Sequence, residues 1–215
     1  MLSSGLKDRV LDQIAQQPAP TRREVQRSTA ILFGCGISGA LAIFFLEGGI
    51  RVTGRPPLLV ALTSLGTALI AGVGMWILFT RGRSMLGRPR ALLAWAAVLS
   101  AIGFVGWKYG MSSLYGLTEK WPDRVGLRCL WLSVTLGALP LFAALLSWRR
   151  AASLTPVSTG AAFGAGAGLG SAVLVDLWCP VAYVPHLMLG HVLPIALLAA
   201  VGGVLGTWLL RLRRR

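Results

Sequence analysis

Two cysteines and two histidines are the residues of this sequence whose types and spacing allow metal or redox chemistry. Cys179, His186 and His191 lie in one stretch, VDLWCPVAYVPHLMLGH, which contains one acidic residue and no Lys or Arg. Cys129 lies earlier, in DRVGLRCLW. Two thiolate sulfurs and two imidazole nitrogens are a typical ligand set for a soft metal ion, and two thiols can also form a disulfide. Either chemistry requires a fold that brings these residues together.

The composition predicts that this fold is a membrane-embedded helical bundle. The chain has 215 residues, of which 55% are hydrophobic and 13% are charged, whereas a typical soluble domain has roughly 25% charged residues. A bilayer crossing needs about 17–25 apolar helical residues. By this measure we predict six transmembrane helices, over residues 28–46, 58–79, 91–107, 129–147, 157–175 and 192–210.

The distribution of basic residues predicts the orientation of the six spans. Fifteen of the 21 Lys and Arg residues lie in the tail 1–27, in the connections after spans two and four, and in the basic end 211–215. Because Lys and Arg accumulate on the cytoplasmic side, we expect both termini in the cytoplasm of a cell with an inner membrane. The net charge of +14 then reflects topology and contact with the lipid bilayer, and we expect no direct nucleic-acid binding.

This topology predicts that Cys129 and Cys179 lie at the same, outward level of the membrane. Arg128 and the start of a helix favour a thiolate at Cys129, while Asp176 disfavours one at Cys179. A static disulfide, a redox-sensing pair and a metal site completed by His186 and His191 all remain open, and the histidines are also interpretable as headgroup anchors. The third cysteine, Cys35, is interpreted as a small apolar side chain within span one.

The spans contain few other residues that suggest chemistry. Gly160, Gly164 and Gly168 recur every four residues in span five, which predicts close packing against another helix. Pro194 predicts a bend in span six. No ionisable residue lies near the middle of a span, which argues against a proton-coupled transporter. The sequence GISG at 36–39 resembles the serine motif of rhomboid proteases, but it falls in the first span rather than the fourth, so we expect neither catalytic residues nor an enzyme.

The tail is predicted to carry a short amphipathic helix that docks on a partner. One apolar stripe in GLKDRVLDQIAQQPAP needs to be covered, because so short a helix is marginal in water. Protein and lipid headgroups are both open as the covering surface, and the acidic residues favour protein. The expected partner-binding residues are Leu6, Asp8, Val10, Leu11 and Ile14.

The C-terminal half resembles the NrsF-type family of six-span bacterial anti-sigma factors. The features that carry the resemblance are RCL at 128–130, a single proline in the following span, LTP before a Gly- and Ala-rich span, and CP at 179–180. The likeness covers residues 120–205 well and is only a general pattern before them. Where many members have an aromatic pair after CP, this chain has PHLMLGH, and span two lacks the lysine that many members carry.

The resemblance implies a membrane-bound anti-sigma factor that acts in stress signalling. Residues 1–27 would hold a sigma factor of the extracytoplasmic-function group, and Cys129 and Cys179 would be the outward pair that senses oxidant or thiophilic metal. No cofactor is expected except a soft metal ion as signal. The alternatives are a small transporter or channel subunit, and a structural membrane subunit with a docking tail.

Overall fold

The computed structural model describes residues 22–50, 55–79, 90–116, 126–148 and 155–210, and within these ranges the chain is helical and forms no strand. Two helices near the C-terminus are joined by a π-helical segment and form one continuous rod. The helices are α1 (Arg22–Leu46), α2 (Pro57–Phe79), α3 (Arg90–Leu114), α4 (Leu127–Trp148), α5 (Pro156–Trp178), α6 (Val184–Leu187) and α7 (Leu193–Leu209), with the π-helical segment at Met188–Val192.

Five of these helical rods are long and apolar enough to cross a membrane. They contain the stretches Gln26–Leu46, Pro57–Ile77, Leu127–Trp148, Pro156–Trp178 and Val184–Leu209. The predicted all-helical class is therefore confirmed, and a multi-pass membrane protein fits the described part of the chain. The helix that carries the third predicted span, α3, is not among the five. The count of six crossings and the cytoplasmic placement of both termini stay predictions.

The last helical rod begins earlier than the sequence predicted. Span six was expected to start at 192, but α6 begins at Val184, and α5 continues to Trp178. The segment that joins them, residues 179–183, is the only non-helical part of the expected connection 175–191. Pro185 lies in the first turn of α6, where its missing N–H leaves no helical hydrogen bond unmade. Both histidines therefore belong to a helical rod rather than to a loop.

Glycines bring α5 and α7 into backbone contact, as the sequence predicted. A Cβ atom built at Gly160 would overlap the carbonyl group of Gly202, and one built at Gly164 would overlap the carbonyl group of Leu198. The pair α5 and α7 is the most extensive helix contact in the described part of the chain. Where surrounding lipid is as apolar as the side chains, such close approach supplies the packing that holds helices together.

Pro194 explains the π-helical segment that precedes α7. In a regular α-helix the residue at this position would donate its N–H to the carbonyl of Gly190, but proline has none. Leu193 instead donates its N–H to Met188 O, five residues back. The carbonyl of Gly190 accepts a hydrogen bond from the Ser133 hydroxyl at 3.1 Å. The rod thus bulges where the sequence predicted a bend.

One end of the bundle, where α4 begins and α5 ends, is called here the cysteine end. Ala40 and Phe44 of α1 pack there in one buried cluster with Cys129, Trp178 and Cys179. The chain reverses after α1 at Gly48 and Gly49, which adopt positive φ angles of 103° and 58°. The other end of α1 begins at Arg22, inside the predicted tail. Leu6, Asp8, Val10, Leu11 and Ile14, as well as residues 211–215, lie outside the described residues.

Candidate cysteine and histidine site

Three helical rods bring the four candidate residues together at the cysteine end. Cys129 lies in the first turn of α4, and Cys179 follows the last residue of α5. His186 lies in α6 and His191 in the π-helical segment. All four are buried, and one ligand atom from each lies within 4.8 Å of the others. The sequence predicted this grouping of candidates, but not the burial of the histidines.

The two sulfur atoms flank one imidazole nitrogen. His186 Nε2 lies 3.4 Å from Cys129 Sγ and 3.1 Å from Cys179 Sγ. Both cysteines are free thiols, as is the exposed Cys35 of α1. The contacts with His186 therefore hold both thiols in place without a covalent bond between them.

His191 is fully buried next to this group. Its ring stacks on that of Phe104 from α3, with centroids 5.4 Å apart and an interplanar angle of 28°. The centroid of the His186 ring lies 5.8 Å away. Within the described residues, neither ring nitrogen of His191 makes a hydrogen bond. Buried polar atoms usually have a partner, so these nitrogens mark the position of an unfilled interaction.

Two glycines allow α4 to approach the histidine rod closely. A Cβ atom at Gly190 would lie 2.8 Å from Cys129 Cβ. Gly126, just before α4, has a φ of +91°, and a Cβ there would lie 3.1 Å from the carbonyl oxygen of His186. Larger residues at either position would push Cys129 away from the histidines.

A buried network of charges holds the backbone around Cys179. Lys108 of α3 forms an ion pair with Asp176 of α5, with Nζ and Oδ1 2.5 Å apart and both side chains at most 1% exposed. Lys108 Nζ also donates to the carbonyl of Cys179 at 3.1 Å. Arg55 donates to the carbonyls of Asp176 and Leu177. Burial lowers the pKa of the Arg55 guanidinium from its ordinary value.

The expected electrostatics of Cys179 are wrong. The sequence predicted that Asp176 disfavours a thiolate at this position, yet the pKa of Cys179 is lowered well below its ordinary value. The main cause is a hydrogen bond from Cys129, to which the neighbouring rings of His186 and His191 and the charge of Lys108 add, whereas burial acts in the opposite direction. The carboxylate of Asp176 has little effect on the thiol because it is paired with Lys108.

The interpretation of the histidines as headgroup anchors is also wrong. His186 is 3% exposed and His191 is 0% exposed, so neither ring reaches the surface of the bundle. Lys108 and Phe104 were not predicted to belong to the site, and Asp176 was considered only for its effect on Cys179. A signal was present in the sequence, because Lys108 and Asp176 are opposite charges next to the predicted ends of spans three and five.

A second group of contacts covers the site on the side of α1. Trp178 Nε1 donates to the carbonyl of Glu47 at 2.9 Å, just after the last residue of α1. Arg128 lies over the Trp178 ring, with its Cζ 5.0 Å from the ring centroid, and pairs with the Glu47 carboxylate at 3.3 Å. The end of α1 is thus attached to the residues immediately next to both cysteines.

Comparison with known families agrees with the resemblance found in the sequence. The family model described as NrsF, negative regulator of sigma F, matches residues 14–212. The chain belongs to the NrsF family. Membership in this family implies that the protein negatively regulates a sigma factor and that a sigma factor is its partner. Regulators of this kind are in general not enzymes. No curated protein and no solved structure matches the chain.

Proposed function

We propose that this protein is a membrane-bound anti-sigma factor with its sensing site at Cys129 and Cys179. In the resting state residues 1–27 hold a sigma factor of the extracytoplasmic-function group at the bacterial inner membrane. Oxidant or thiophilic metal reacting at the two thiols changes the cysteine end of the bundle and weakens that hold. The observation that carries the proposal is the family match over 14–212, combined with the meeting of both thiols in one buried site.

The tail is the part of the chain best suited to bind the sigma factor. The sequence gives it an apolar stripe at Leu6, Val10, Leu11 and Ile14 and acidic side chains beside that stripe. A helix of this kind gains stability by placing its apolar face in a groove on a protein partner. The held sigma factor is then kept from RNA polymerase because the same surface is covered.

Helix α1 supports a direct route from the cysteines to the tail. It is 25 residues long and begins within the tail at Arg22. Near its other end, Phe44 lies in the same buried cluster as Cys129 and Cys179, and the Glu47 carbonyl just after the helix accepts a hydrogen bond from Trp178. A helix is stiff along its axis, so a displacement at Phe44 moves the first residues of α1 as well.

Reaction at the two thiols can supply the free energy that release of the sigma factor requires. A change from mostly held to mostly free sigma factor needs about 3–5 kcal/mol of differential stabilisation between the two states. A disulfide typically contributes about 2–4 kcal/mol, and a bound structural metal ion contributes more.

The binding role of the tail is tested by affinity purification of the full-length protein from membranes, with co-purified proteins identified by mass spectrometry. We expect a sigma factor with the intact chain and none after deletion of residues 1–20. The double variant Leu11→Asp with Ile14→Asp should lose it as well, whereas Gln13→Ala, off the apolar stripe, should keep it. Equal recovery of a sigma factor with and without the tail would refute the proposed binding segment. Absence of a sigma factor from every preparation would refute sequestration itself.

A further inference from the structure

We propose that Cys129, Cys179, His186 and His191 form a four-ligand centre for a thiophilic divalent cation of the zinc type, and that Pro194 positions His191 in it through the π-helical turn. The inference deepens the proposed function at the same site. It specifies how the two thiols bind a metal ion, and it adds both histidines to the sensing residues.

The ligand atoms lie near the positions that such a centre requires. A tetrahedral ion with metal–sulfur distances of ~2.3 Å and metal–nitrogen distances of ~2.0 Å keeps its ligand atoms roughly 3.3–3.8 Å apart. Here His186 Nε2 lies 3.4 and 3.1 Å from the two sulfurs, and all four ligand atoms lie within 4.8 Å of one another. Small side-chain movements are enough to surround an ion.

The π-helical turn explains how two histidines five positions apart can share one ion. In a regular α-helix, with about 3.6 residues per turn, residues five apart point roughly 140° away from each other. A π-helical turn hydrogen-bonds five residues back and so contains more residues, which brings such a pair towards the same side. The ring centroids of His186 and His191 are accordingly 5.8 Å apart. Pro194 removes the N–H that a regular helix would need at this point, and Ser133 satisfies the carbonyl of Gly190 that is left over.

The unpaired nitrogens of His191 are an independent indication of a ligand. The side chain is 0% exposed, and within the described part of the chain neither nitrogen has a hydrogen-bond partner. Leaving a polar group unpaired in an apolar surrounding costs about 1–3 kcal/mol. Coordination of a metal ion by one of these nitrogens removes that cost for the coordinating nitrogen.

Charge balance also favours a divalent ion. On binding, the two thiols lose their protons to solvent, and the resulting thiolates neutralise the two positive charges of the ion. The neighbouring pair of Lys108 and Asp176 is itself neutral. The filled site therefore adds no net charge to a buried region, where an uncompensated charge is strongly unfavourable.

Cobalt(II) spectroscopy tests the centre on the full-length protein, purified reduced in detergent micelles without a sigma factor. Co²⁺ replaces zinc and reports its ligands through absorption bands. We expect intense ligand-field bands of a tetrahedral site, sulfur-to-cobalt charge transfer from two thiolates, and loss of both on adding Zn²⁺. His191→Ala should weaken Co²⁺ binding at least about tenfold, as loss of a supporting group already does at metal sites. Cys35→Ser, at the cysteine outside the site, should leave binding and spectrum unchanged.

Two further variants separate coordination from folding. Pro194→Ala keeps all four ligands but permits a regular helix, so we expect weaker Co²⁺ binding and weaker tetrahedral bands at unchanged helix content. His191→Cys should restore binding with increased charge transfer from a third thiolate. A wild-type protein without tetrahedral bands would refute the centre, and a His191→Ala spectrum identical to that of the wild type would remove His191 from it. Neither result affects tail-dependent retention of a sigma factor, which is measured separately.

Discussion

Lys108 and Asp176 form a fully buried ion pair beside Cys179, and each side chain depends on the other. The pair lies near the C-terminal ends of α3 and α5. The Ser64 hydroxyl donates a hydrogen bond to the second carboxylate oxygen of Asp176 at 3.3 Å. A buried pair contributes little net stability compared with an apolar pair, but removing one partner leaves an uncompensated charge. The pair therefore fixes the position of the Cys179 backbone, whose carbonyl Lys108 also binds.

Substitution of Lys108 by Met should destabilise the protein by about 3–5 kcal/mol, because Asp176 then loses its partner. The measurement is thermal unfolding in detergent, followed by circular dichroism. The double variant Lys108→Met with Asp176→Asn removes both charges and keeps an acceptor for Ser64, so it should recover most of the loss. A single variant as stable as the wild type would contradict the structural role given to the pair.

At the scale of the elements, glycines allow the close contact between α5 and α7. Pro194 accounts for the π-helical turn that carries His191 at the cysteine end. The sequence predicted the first, because Gly160, Gly164 and Gly168 form a visible repeat. The π-helical turn was not predictable. Pro194 indicates a distortion of the rod, but its form depends on the Ser133 hydroxyl of α4, which lies far away in sequence.

Substitution of Gly164 by Ala should destabilise the bundle by about 1–3 kcal/mol, the usual cost of overpacking a close contact. Its new methyl group would overlap the backbone of α7 at Leu198. The matched control is Gly170→Ala on the same helix, because a Cβ there meets no atom within 4 Å. Unfolding of both variants should be compared by the same thermal assay. The prediction fails if the two substitutions have the same effect.

At the scale of the whole molecule, composition and the pattern of apolar segments were sufficient to predict a helical membrane protein and the approximate positions of its helices. They were also sufficient to group Cys129, Cys179, His186 and His191 as candidates. The sequence did not reveal that His191 is buried against Phe104, or that α1 shares a buried cluster with both cysteines. Those facts depend on contacts between segments far apart in the chain, for which a single sequence contains no direct signal.

The packing of α1 at the cysteine end connects the proposed binding segment with the proposed sensing site. The tail precedes α1, and Phe44 near its other end lies in the cluster that contains Cys129 and Cys179. The account therefore expects that a change at the thiols reaches the bound sigma factor without any additional protein.

The most direct test of this claim is release of the sigma factor from the detergent-solubilised complex, immobilised through the membrane protein and measured in the eluate after Cd²⁺ or a thiol oxidant is added. The account predicts release from the wild type and from Cys35→Ser, and retention by the double variant Cys129→Ser with Cys179→Ser. Equal release from all three proteins, or release from none of them, would contradict it.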